Sequence, residues 1–131
     1  MFLKHTKWAM LWALLIFILC AIPGKDFPDV SYFELLEPDK WIHASLFFVL
    51  EVLLIWGFAL QSSFNILNRF PKLISAVLSI TYGISLELMQ QAFFIDRTAD
   101  IFDVAANTTG TILGIIFYQK VETKLLVRYL K

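Results

Sequence analysis

The sequence predicts an all-α integral membrane protein, a bundle of four transmembrane helices with both termini on the cytoplasmic side. Three observations predict it. Hydrophobic types fill 59% of the 131 positions and charged types only 17%, against about half and about a quarter in a soluble domain, and the mean hydropathy is +0.71. Four apolar runs approach the roughly 20 helical residues that cross hydrocarbon about 30 Å thick. The basic residues fall into two unequal groups by segment, which sets an orientation.

The first run extends from Trp8 to Ile22 and stops at Pro23-Gly24, a pair that ends helices. It is short for a span, and Lys4 and Lys7 ahead of it also suit a cleaved signal peptide. Bulky Leu19 before Cys20 and the lack of a small-x-small triplet make a poor cleavage site, which favours a retained anchor. The second run, Trp41 to Leu60, is interrupted only by His43, Ser45, Glu51 and Gly57. The third, Leu73 to Phe94, carries Glu87, Gln90 and Gln91 near its end, and the fourth, Ile101 to Tyr118, has Asp103 and Asn107 early and then Gly110 and Gly114. Tight linkers leave room for a single domain over residues 1–131. Trp8, Trp12, Trp41 and Trp56 read as interfacial anchors and packing.

Lys4, Lys7, Arg69, Lys72, Lys120, Lys124, Arg128 and Lys131 fall on one side of these spans, and Lys25, Lys40 and Arg97 on the other. An excess of Lys and Arg marks cytoplasmic loops, so both termini are expected inside, with Pro23 to Asp39 and Ile95 to Asp100 outside. Eleven basic residues against eleven acidic ones give zero formal charge, which excludes the broad basic surface that nucleic-acid binding needs. Cys20 is the single cysteine, so an intrachain disulfide and a cysteine-based metal site are both excluded.

A charged side chain deep in a bilayer costs roughly 2.5 to 3.5 kcal/mol on insertion scales, so each one inside a span needs a partner or a purpose. At about 1.5 Å of rise per residue, His43 and Asp103 lie roughly 3 Å inside the outer ends of their helices, and Glu87 and Asn107 roughly 10 Å. Spacings of three and four put Asp39 with His43 on one face, Glu87 with Gln90 and Gln91 on another, and Asp103, Asn107, Gly110 and Gly114 on a third. Turned inward, these faces satisfy one another and hold water. The expectation is an outward-opening polar pocket built from Asp39, Lys40, His43, Glu87, Gln90, Arg97, Asp103 and Asn107. Gly110-x-x-x-Gly114 marks close helix contact, within the chain or at a dimer face.

Within that set, His43 can serve as an acid or base, with Asp39 one turn earlier to orient its ring. Glu87 and Asp103 suit a pair of carboxylates in unlike environments, one acid and one base; structural pairing with Arg97 or Lys40 explains them as well. Arg97 and Lys40 can grip a lipid phosphate at headgroup level, or form interfacial ion pairs with Asp39, Asp96 or Asp100. His43, Glu87 and Asp103 are thus the catalytic candidates, and Asp39, Lys40, Gln90, Arg97 and Asn107 the ligand-binding ones. The same three catalytic candidates have acceptable metal-ligand types, but one histidine without a second His or Cys is a thin signal, so neither a metal nor a cofactor is expected. Glu51, roughly 15 Å down its helix, is expected to face the interior as a hydrogen-bonded acid with Ser79 or Tyr82 as donor. No G-x-S-x-G, HExxH, glycine-rich phosphate loop or Cys-x-x-Cys occurs.

The order of these residues carries a resemblance: Asp39-Lys40-x-x-His43 opens one span, Glu87-x-x-Gln90 comes late in the next, Arg97 stands in a turn, and Asp103-x-x-x-Asn107-x-x-Gly110-x-x-x-Gly114 follows. From about Trp8 to Tyr118 the chain resembles the VanZ-like family, whose namesake is a small membrane protein that raises bacterial resistance to the glycopeptide teicoplanin. Two departures are the doubled glutamine at Gln91 and Phe93-Phe94-Ile95-Asp96 in place of a Pro-Gly turn before the arginine. The resemblance implies a four-helix envelope protein, an effect on glycopeptide susceptibility, and a lipid or lipid-linked envelope precursor as partner; it brings no established reaction. Two other classes compete: a non-catalytic subunit that binds another membrane protein, and, more weakly, a small proton-coupled transporter routed through Glu51.

Overall fold

The computed structural model describes the backbone of residues 1–22, 38–94 and 99–129, and the side chains of 1–22, 40–94 and 99–125. Its helices are α1 (Phe2–Ala21), α2 (Pro38–Leu60), the short α3 (Asn65–Arg69), α4 (Pro71–Phe93) and α5 (Ile101–Tyr129). No strand occurs among the described residues. Four of these helices are long and apolar enough to cross a membrane: Phe2–Ala21, Lys40–Leu60, Pro71–Phe93 and Ile101–Leu125.

Local chemistry sets several ends. α1 gives way at Ile22 to extended backbone, the conformation that the following Pro23 demands. α4 opens on Pro71, whose missing N–H falls where a helix has no acceptor for it. α5 is capped by Asp100: one side-chain oxygen accepts the N–H of Phe102 at 2.8 Å and its carbonyl accepts the N–H of Asp103 at 3.1 Å. α1 begins six residues before the apolar run and α5 continues past Tyr118, because helical hydrogen bonding runs on after hydropathy falls. Lys7 lies over the Trp8 ring at 5.3 Å, and Lys72 reaches from α4 to Glu122 of α5 at 2.7 Å.

The helices alternate in direction. His5 and Thr6 lie against Gly57, while the Trp12 indole donates to the Leu46 carbonyl at 2.9 Å, so α1 and α2 are antiparallel. Glu51 meets Ser75 and Ser79 of an antiparallel α4, and α5 returns parallel to α2, with Gly110 on Ala44 and Gly114 on Phe48 and Glu51. α2 packs against each of the other long helices and most extensively against α5. A Cβ at Gly110 would overlap the Ala44 carbonyl, and one at Gly114 would stand 2.9 Å from Cβ of Glu51. Close packing inside the chain is therefore what these two glycines provide.

The interior is more polar than the exterior. Buried positions include Glu51, Ser75, Ser79, Glu87, Gln90, Asn107 and Thr111 beside the apolar Ile16, Phe47, Leu50 and Leu86, while Trp8, Leu11, Leu14, Trp41, Val77, Leu88 and Phe117 are exposed. Water would reject that distribution and hydrocarbon selects it, since polar groups must find partners inside the bundle.

Candidate functional site

At the end of the bundle where α2 and α5 begin and α4 finishes, one face of each helix turns toward the others. On α2, Lys40 and His43 lie one turn apart; on α4, Glu87 and Gln90 do; on α5, Asp103 and Asn107 do. His43, Glu87 and Asp103 are 8%, 4% and 7% exposed, whereas Trp41 on the opposite side of α2 is 70% exposed. The inward set therefore follows helical phase.

Specific bonds hold the set. The Lys40 ammonium donates to Oδ2 of Asp100 at 2.7 Å and to Oδ1 of Asp103 at 2.5 Å, joining α2 to the start of α5. His43 Nδ1 lies 3.1 Å from the Asn107 amide oxygen, so Nδ1 carries the donated proton, and His43 Nε2 lies 3.7 Å from Oδ2 of Asp103. Glu87 Oε2 accepts the backbone N–H of Asp100 at 3.0 Å. One ligand-type atom from each of His43, Glu87 and Asp103 lies within 4.8 Å of the others. No buried side-chain nitrogen or oxygen among the described residues lacks a hydrogen-bond partner.

Five of the eight expected site residues, Lys40, His43, Glu87, Asp103 and Asn107, thus come together from three helices. Gln90 is buried but its amide donates to the Cys20 carbonyl of α1 at 3.2 Å, which ties the fourth long helix to this end. Gln91, one residue further round α4, is exposed, so it does not share the Glu87 face. The Asp39 side chain and Arg97 lie outside the described residues. The contact described on His43 Nδ1 is Asn107.

From the sequence Asp100 stands only as an ion-pair alternative for Lys40 or Arg97. It caps α5, accepts from Lys40 and presents its backbone N–H to Glu87. The signal was available: an aspartate directly before an apolar run, with a second acid three residues on, marks a helix start.

Glu51 forms a separate buried group nearer mid-membrane, accepting from Ser75 at 2.6 Å and Ser79 at 2.7 Å. Ser79 was one expected donor. Tyr82 instead donates to the Ala13 carbonyl of α1 at 2.5 Å. Between α1, α2 and α4 runs an apolar groove of about 190 Å³ lined by residues including Met10, Leu54 and Leu78.

Comparison with known proteins gives one family. A family model described as VanZ/LLP1 matches residues 6–126, nearly the whole chain. No curated protein and no solved structure matches significantly.

Proposed function

Because the chain belongs to the VanZ/LLP1 family, we propose that it is a VanZ-like envelope protein of the bacterial cytoplasmic membrane whose polar cluster binds the headgroup of a lipid or lipid-linked envelope molecule. The cluster end faces outward in this reading, and both termini lie inside. The observation that supports it most is the gathering of Lys40, His43, Glu87, Asp103 and Asn107 at a single end of the bundle. A headgroup offers hydrogen-bonding and charged partners at that depth, and lipid tails offer none. His43, Glu87 and Asp103 are the acid-base or hydrogen-bonding groups and Asn107 fixes the His43 ring. Gln90 ties α4 to α1 beside them. Lys40 and Arg97 are the anion contacts, with Asp39 as a polar partner; Lys40 exchanges part of its pairing with Asp100 and Asp103 for the ligand. An effect on glycopeptide susceptibility follows from altered access to, or abundance of, that envelope molecule.

A second reading, a non-catalytic subunit for another membrane protein, draws support from the satisfied hydrogen bonding of the cluster, which suits a structural joint. One experiment separates the two. His43→Ala, Glu87→Ala, Arg97→Ala and Asp103→Ala are expressed singly, and membrane accumulation, copurifying lipid and teicoplanin susceptibility are measured. The headgroup reading expects loss of lipid and phenotype at unchanged accumulation. A fall in accumulation in all four variants would assign the cluster to the scaffold.

A further inference from the structure

We infer that His43, Glu87 and Asp103 form a binding site for one divalent transition-metal ion, of the zinc or manganese type. Residue types alone did not warrant an ion; their geometry does. One ligand atom from each of the three residues lies within 4.8 Å of the others, and His43 Nε2 stands 3.7 Å from Asp103 Oδ2. That is beyond hydrogen-bond length and close to the spacing of about 3 to 3.5 Å between two ligands that share an ion at about 2.0 to 2.2 Å. Small χ adjustments within the buried cluster close the difference.

The surroundings of the three residues point the same way. His43 donates from Nδ1 to the Asn107 amide oxygen, which leaves the lone pair of the neutral ring on Nε2, the nitrogen nearer Asp103. Asp103 receives the Lys40 ammonium on Oδ1, its other oxygen, and Glu87 is held at Oε2 by the Asp100 backbone N–H. Each candidate ligand is thus oriented by a group that is not itself a ligand, the arrangement that fixes metal ligands and tunes their basicity. One imidazole with two carboxylates suits zinc or manganese better than a soft, thiolate-seeking ion.

The inference goes beyond headgroup binding and is tested without added phospholipid, so failure of either leaves the other standing. Full-length protein in detergent is stripped with a chelator, titrated with CoCl2 and followed by visible absorption, with elemental analysis after desalting. The expected result is about one ion per chain, visible bands of protein-bound cobalt, and their loss on adding ZnCl2. His43→Ala, Glu87→Gln and Asp103→Asn each weaken uptake by about tenfold or more, while Ser79→Ala, at the separate Glu51 group, leaves it unchanged. Helical content by circular dichroism selects the folded variants for this comparison. Wild-type protein that retains no cobalt and no zinc overturns the inference, whatever the variants do. Undiminished uptake by a folded His43→Ala variant overturns it equally.

Discussion

The Glu51 carboxylate is fully buried, with a serine hydroxyl on each oxygen and the Cα of Gly114 against its stem. An interhelical hydrogen bond in a membrane is worth only about 0.6 kcal/mol on average and up to about 1.7 kcal/mol, so neither bond alone decides whether the bundle forms. Together they decide where this acid points. A double-mutant cycle of Glu51→Gln and Ser79→Ala, read by unfolding in detergent, should give a coupling of about 0.5 to 1.7 kcal/mol; zero coupling would contradict the bond. Ser75→Ala should cost less, because the Lys72 carbonyl already shares that hydroxyl at 3.1 Å. The residue scale was partly legible in sequence. Charge inside an apolar run marked Glu51, His43, Glu87 and Asp103 as needing partners, but helical spacing does not say which residue of another helix supplies them. Ser75 as a partner of Glu51 is fixed by the rotation of α4 against α2, and the Ala13 carbonyl that takes the Tyr82 hydroxyl by that of α1 against α4, which only packing determines.

At the scale of the element, α5 shows why two glycines lie four residues apart. Gly110 and Gly114 let α5 settle onto Ala44, Phe48 and Glu51 of α2, and the same approach sets Asp103 and Asn107 beside Lys40 and His43. Gly110→Val would force the helices apart at the Ala44 backbone, a cost of about 1 to 3 kcal/mol by overpacking. Reduced thermal stability in detergent, with less protein in the membrane, is the expected outcome; stability equal to wild type would mean that α5 does not rest on α2 there. Hydropathy located the four spans, since length and apolar content are local properties. It could not place the ends: α1 begins at Phe2 and α5 runs on to Tyr129, through Lys4 and Lys7 in one and Gln119 and Lys120 in the other, where helix continues without an apolar signal. α3 escaped for a related reason, as five residues between two spans carry too little periodicity to declare a helix.

For the whole molecule, the alternating helices bring the start of α1, the α2–α4 connection and the far part of α5 to one end, and the buried polar cluster to the other. The first end holds Lys4, Lys7, Arg69, Lys72, Lys120 and Lys124, so charge asymmetry predicts that it is cytoplasmic. Reporter fusions that fluoresce only inside the cell should be active at either terminus, and a periplasmic phosphatase reporter inactive at both. The opposite pattern would turn the cluster inward and remove the outer headgroup as its ligand. The family match over residues 6–126 agrees with a resemblance carried by a few polar residues in fixed order, because those are the positions that hydrocarbon does not explain.

The central claim is that α2, α4 and α5 turn their polar faces toward one another in the membrane. Its most direct test is disulfide trapping in native membranes, in a Cys20→Ser background. Cysteine pairs are placed at His43 with Asn107, at Glu87 with Asp103, and at Trp41 with Asn107 as the outward-facing control. Rapid cross-linking of the first two pairs and none of the third is the predicted result. Cross-linking of the Trp41 pair as readily as the other two, or of none, would contradict the account.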